Sequence, residues 1–166
     1  MRAFIVIDIQ NDYFPGGALP LHHPEKVEEK IVNSINKAQA AGDKLILIQH
    51  ISNSDTGLFA KNGTGINIRP NILSASNGAP IVVKQYADAF QETELKKHLN
   101  NVDEILICGM MTQNCVVFTA LSKDAEKYNV QVIGDLCTAP TELDHSIALA
   151  ALEAKVKVTN SNTLWK

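Results

Sequence analysis

Cysteine is scarce in this chain: three in 166 residues, odd in number and irregularly spaced. That excludes a disulfide framework, and without a CxxC pair it also argues against a thiolate metal cage or a dithiol redox centre. The usage agrees with a reducing, cytoplasmic setting. Basic clusters are missing too. The formal charge is −3, so no electrostatic footprint for nucleic acid or an anionic membrane surface is present, and small molecules or protein partners are expected. No G-x-G-x-x-G or P-loop follows any apolar run, and Gly16-Gly17 is a turn signal too far from a helix start to cradle phosphate. Long hydrophobic runs are absent. The opening MRAFIVIDIQ is interrupted by Asp8 and lacks a small-residue cleavage site, which makes it a poor signal peptide. Repeats and low-complexity stretches are likewise lacking.

What is present is alternation. Hydrophobic residues make up 45% of the chain, enough for one sizeable core, and a single domain over 1–166 is expected. Short apolar runs at 3–9, 44–50, 80–84, 103–109, 130–135 and 155–159 read as strands, several too continuously apolar to have a wet face. Between them, 24–41 opens on Pro24, repeats Val27, Ile31, Ile35 and Ala38 at helical spacing and ends at Gly42. Weaker helical patterns cover 91–99, 113–127 and 141–154, the last with Leu143, Ile147 and Ala150 on one apolar face. The expected fold class is α/β, a three-layer sandwich with a six-stranded, mainly parallel sheet between helices. The segment 51–79, rich in Gly, Asn and Ser and weak in periodicity, reads as one long loop of the kind that covers a site.

In open parallel sheets ligands bind beyond the carboxyl ends of the strands, so the residues that end strands carry information. Asp8 closes the first run, Lys84 closes the third, and Cys115 lies in the turn after the fourth. A thiol at a helix N-terminus has its thiolate favoured by the dipole and by free N–H groups. Cys115 alone is equally readable as a small packing hydrophobe, the reading that suits Cys108 and Cys137. A carboxylate to take its proton and a cation to hold the pair ionised turn the balance toward a nucleophile.

DIQNDY (8–13), LIQH (47–50), VVKQYADAFQETEL (82–95), ICGMMTQNCVVFTALSKDA (107–125) and VIGDLCTAP (132–140) together resemble the isochorismatase-like cysteine hydrolase family. The most specific match is G-x-x-T-x-x-C-V at Gly109, Thr112, Cys115 and Val116. The resemblance implies a catalytic triad of Asp8, Lys84 and Cys115 and a non-proline cis peptide at Met111–Thr112. It also implies an oxyanion hole from the backbone N–H groups of Thr112 and Cys115, and a homo-oligomer, dimer or larger. Gln10, Tyr13 and Phe90 match positions near the family's pocket and are candidate substrate-binding residues.

Departures from the family narrow the reading. Its nicotinamidases hold a divalent metal through Asp-x-His after the second strand with further histidines downstream. This chain has Gln49-His50-Ile51 there, and its next histidine is His98. No metal and no cofactor is therefore expected, and His50 reads as a hydrogen-bonded strand-end residue. The presence of Cys115 favours cleavage of an amide or N-carbamoyl C–N bond through a thioester. Vinyl ether hydrolysis resting on the Asp, or a non-catalytic binding module, are the alternatives.

Overall fold

The computed structural model describes residues 1–165. Six parallel strands form one sheet: β1 (Arg2–Ile7), β2 (Lys44–His50), β3 (Ile81–Lys84), β4 (Glu104–Met110), β5 (Asn129–Thr138) and β6 (Lys157–Thr159), in the order β3-β2-β1-β4-β5-β6. The runs in β1, β2 and β4 are almost wholly buried, as expected of strands covered on both faces. The chain winds one way from β1 to β3, returns to β4 beside β1, and winds the other way to β6. The β1/β4 junction is thus the topological switch point, where open sheets place their ligand crevice.

Helix α1 (Pro24–Ala40) starts at a proline in its first turn and buries Ile31, Ile35 and Ala38. The loop expected over 51–79 is interrupted by a short helix, α2 (Pro70–Ser76), again led by proline. A proline in the first helical turn loses no hydrogen bond, so that signal stood in the sequence beneath the Asn and Ser around it. The stretches expected to be helical at 91–99 and 113–127 shrink to α3 (Leu95–His98), a π-helical turn (Thr112–Val116), α4 (Val117–Ala120) and a 3-10 turn (Lys123–Ala125). Helix α5 (Glu142–Leu152) is capped by Thr141, whose Oγ1 accepts the Asp144 N–H at 3.1 Å. Its orientation differs from expectation: Ala148 and Leu152 are buried, whereas Leu143 and Ile147 are 68% and 61% exposed. The last helix, α6 (Ser161–Leu164), follows β6, and Trp165 beyond it packs on Phe4 with its indole N–H on Asp43. Among the described residues no helix is long and apolar enough to cross a membrane.

Gly109 controls how closely β4 approaches β1. It sits at φ +128°, opposite Ile7, and a Cβ there would lie 2.1 Å from the Ile7 carbonyl oxygen. Only glycine tolerates both the backbone angle and the distance. Gly109→Ala is expected to cost more than about 2 kcal/mol, measured by chemical denaturation, and to push the turn after β4 away from Asp8.

Candidate active site

The ends of β1, β2, β3 and β4 converge on one buried cluster. β1 stops at Ile7, two residues earlier than its apolar run suggests, because Asp8 turns into the left-handed region at φ 55°. Asp8 N–H still reaches the Ile48 carbonyl at 3.1 Å, so its carboxyl is aimed from a fixed backbone. Lys84 ends β3, two strands away from β1 and thus about 10 Å distant at the backbone. A long side chain is needed to cross β2, and lysine supplies one. Cys115 lies within the π turn that follows β4, where the Met111 carbonyl accepts the N–H groups of Asn114 at 3.1 Å and Val116 at 3.3 Å.

The three side chains meet out of contact with solvent. Lys84 Nζ is 3.1 Å from Asp8 Oδ2 and 3.1 Å from Cys115 Sγ. It also lies 2.8 Å from His50 Nδ1 and donates to the Tyr86 carbonyl at 3.0 Å. Beyond the Lys84 ion pair, neither Asp8 oxygen has a hydrogen-bond partner of good geometry, although both are buried. Burial works against the Lys84 charge, but Asp8 and Cys115 beside it more than offset that and raise its pKa. Burial also pushes the Cys115 thiol up, Asp8 pushes it further, and Lys84 recovers only part of the shift. A preformed thiolate favoured by a helix dipole is therefore not what the fold provides. The turn is short, and desolvation beside a carboxylate outweighs its dipole. Lys84 thus bridges the Cys115 sulfur and the Asp8 carboxyl group, and burial favours the thiol form of Cys115.

The model of the Isochorismatase domain matches residues 2–163. The chain belongs to the isochorismatase family. It is 31% identical over 175 residues to the uncharacterized isochorismatase family protein YddQ of Bacillus subtilis (strain 168), covering 96% of this chain and 97% of that one. It is 25% identical over 175 residues to the nicotinamidase of Escherichia coli (strain K12), covering 82% of each. The crystal structure of a putative isochorismatase hydrolase from Oleispira antarctica superposes with a TM-score of 0.90 at 26% identity, over 98% of this chain and 95% of that one.

Asp8, His50 and Cys115 each offer a ligand atom within 4.8 Å of the others, so the isochorismatase-family cluster invites a test for metal. The position among these donors is taken by the Lys84 ammonium, which lies 3.1 Å or less from an atom of each. A divalent ion there would face a fixed positive charge at contact distance, and the donor set does not fit one.

The remaining sequence candidates separate. Gln10 is fully buried and acts as a clamp: its Oε1 accepts the His50 N–H at 2.8 Å, and its Nε2 donates to the carbonyls of His50 at 2.8 Å and Ile66 at 2.9 Å. Tyr13 is buried edge-on to Phe59, with burial, then Asp8 and Cys115, raising its pKa. Phe90 stacks on Tyr128, just before β5, with ring centroids 6.4 Å apart. Thr112 is buried, with its hydroxyl 2.7 Å from His145 Nδ1 on α5. The cis peptide falls at Met110–Met111, one bond before the expected Met111–Thr112. Met111 is extended and caps the π turn, so the bond into Thr112 belongs to the turn while the reversal occurs at the end of the strand.

Three residues escaped the sequence reading. His145 meets Thr112 across 33 positions, with no local signal. Asp12 lies inside the DIQNDY motif. Its carboxylate accepts the N–H groups of Phe59 at 2.6 Å and Ala18 at 3.0 Å, and Gly65 packs so closely that a Cβ would fall 2.1 Å from Asp12 Oδ1. Phe59, seated by that bond, stacks on the His50 ring with centroids 5.4 Å apart. Because burial and Asp8 raise the Cys115 pKa, its carboxamidomethylation by iodoacetamide, followed by mass spectrometry, should still accelerate from about pH 8 to about pH 10. A plateau near neutrality would contradict this.

Proposed function

We propose that this isochorismatase-family protein is a cysteine hydrolase that cleaves an amide or N-carbamoyl C–N bond of a small molecule with Asp8, Lys84 and Cys115 and without a metal. The observation that carries the reading is the Lys84 ammonium 3.1 Å from both Asp8 Oδ2 and Cys115 Sγ, with no other hydrogen-bond donor well aligned on the Asp8 oxygens. A carboxylate whose only close polar contact is one ion pair is a competent base for the neighbouring thiol. Asp8 takes the Cys115 proton as sulfur attacks the carbonyl carbon, and Lys84 stabilises the thiolate as it forms. The backbone N–H groups of Thr112 and Cys115 receive the oxyanion, each worth about 3 kcal/mol of barrier. Collapse of the tetrahedral adduct breaks the C–N bond, and the leaving amine takes its proton from Asp8. Water, deprotonated by Asp8, then hydrolyses the thioester and frees the acid and the thiol. Tyr13 is the one candidate substrate-binding aromatic whose position beside Asp8 and Cys115 supports that role.

A panel of small amides, ureido compounds and N-carbamoyl compounds tests the reading. Cys115→Ala should abolish turnover, and Asp8→Asn should be nearly as severe because residues acting as a unit are strongly non-additive. Turnover by Cys115→Ala at the wild-type rate would overturn it, and an acyl adduct trapped on Cys115 would identify the acyl group.

We propose further that the protein is a cytoplasmic homo-oligomer, dimer or larger, with neither nucleic acid nor membrane as partner. Phe118 on α4 and Leu143 and Ile147 on α5 support this: all three are more than half exposed, on helices that both pack against the π turn. Light scattering should give at least twice the 18.1 kDa chain mass, and Leu143→Lys with Ile147→Lys should reduce it. A monomeric wild type would refute the proposal.

A further inference from the structure

Four acceptors surround the Lys84 ammonium, which has three hydrogens. The shortest contact is to His50 Nδ1 at 2.8 Å, followed by the Tyr86 carbonyl at 3.0 Å, then Cys115 Sγ and Asp8 Oδ2, each at 3.1 Å. Asp8 is the acceptor that keeps only an ion-pair contact, since no N–H is well aligned on either of its oxygens. The fold arranges this deliberately around His50. His50 pairs with Lys84 in the β2/β3 register, and β2 lies between β3 and β1, so the lysine must pass the imidazole on its way to Asp8. The imidazole is immobilised on two sides: Gln10 grips the His50 backbone N–H and carbonyl, and Phe59 stacks on the ring.

We infer that His50 is a positioning residue, a neutral Nδ1 acceptor that takes one of the three Lys84 N–H donors and so leaves Asp8 an ion-pair contact alone, able to take the Cys115 proton. The ring then carries its own proton on Nε2. Once it gains a second proton it cannot accept from Lys84, and two cations face each other at hydrogen-bond distance. The titratable groups that face it are Lys84 from β3, Asp8 from the end of β1 and Cys115 from the π turn. Burial, then Lys84, lowers the His50 pKa against an opposing effect of Asp8, so the neutral acceptor persists at neutral pH and is lost only on acidification. This inference rests on the hydrolase reading for its functional consequence and on geometry for its physical one.

The experiment separates the two. In the whole protein labelled with 15N-histidine, multiple-bond 1H–15N spectra should show His50 protonated on Nε2. Lys84→Met should move its titration midpoint upward by at least about half a pH unit, since a cation that disfavours the imidazolium is removed. An Nδ1–H tautomer, or a midpoint that does not move, overturns the inference whether or not any amide is cleaved. On the amide that the wild type turns over fastest, His50→Leu should lower kcat about tenfold with KM little changed, the scale of one charge-assisted hydrogen bond. His50→Gln, which keeps an acceptor that does not titrate, should restore most of kcat and move the acid limb of the pH profile to lower pH. Equal losses in the Leu and Gln variants, or an unmoved acid limb in His50→Gln, would overturn it. Full activity in Cys115→Ala would instead sink the hydrolase reading while leaving the spectroscopic result standing.

Discussion

A lysine ammonium taken out of water must find compensation inside the protein, and in this fold the sheet is arranged around that requirement. Lys84 has an anion, a thiol, an imidazole and a carbonyl within 3.1 Å, and each comes from a different stretch of chain. The cost of desolvating the charges is offset only while all of these stay in register, because removing one partner of a buried ion pair leaves an uncompensated charge. Stability and chemistry therefore rest on the same contacts. The supporting residues follow from this need: Gly109 lets β4 close on β1, Gln10 grips the backbone of His50, and Asp12 seats Phe59 over the imidazole.

The strands were legible because buried parallel strands are written as continuous apolar runs, and the switch point follows from the order in which they pair. The residues at the strand ends, Asp8 and Lys84, could be located for the same reason. What sequence could not supply was the sum of competing electrostatic effects at Cys115. A helix-terminal position is visible in the letters, whereas full burial beside a carboxylate is a property of the assembled site, and it dominates. Helix α5 misled in another way. Its periodicity was real, but the apolar stripe of Leu143 and Ile147 faces outward, and an amphipathic pattern does not say whether its apolar side meets the chain's own core or another surface.

Loop chemistry was the least readable. The segment after β2 has the composition of an irregular excursion, yet it holds a helix at Pro70–Ser76 and delivers Phe59 to the site. Its anchors are a carboxylate and a carboxamide from the 3-10 region after β1, bonding to main-chain groups that any sequence would offer. Such side-chain to backbone contacts leave no pattern in the partner's residue types.

β3 has only four residues and lies at the sheet edge, paired on one side alone. Alternation along it buries Val82 and Lys84 and exposes Ile81 and Val83. The cation on which the cluster depends is thus mounted on a short edge strand. Fraying of that short edge would remove the ammonium while the central strands remained intact, since edges open at lower free energy than cores. The site's integrity thus depends on the attachment of one peripheral strand, not only on the core that holds the domain together.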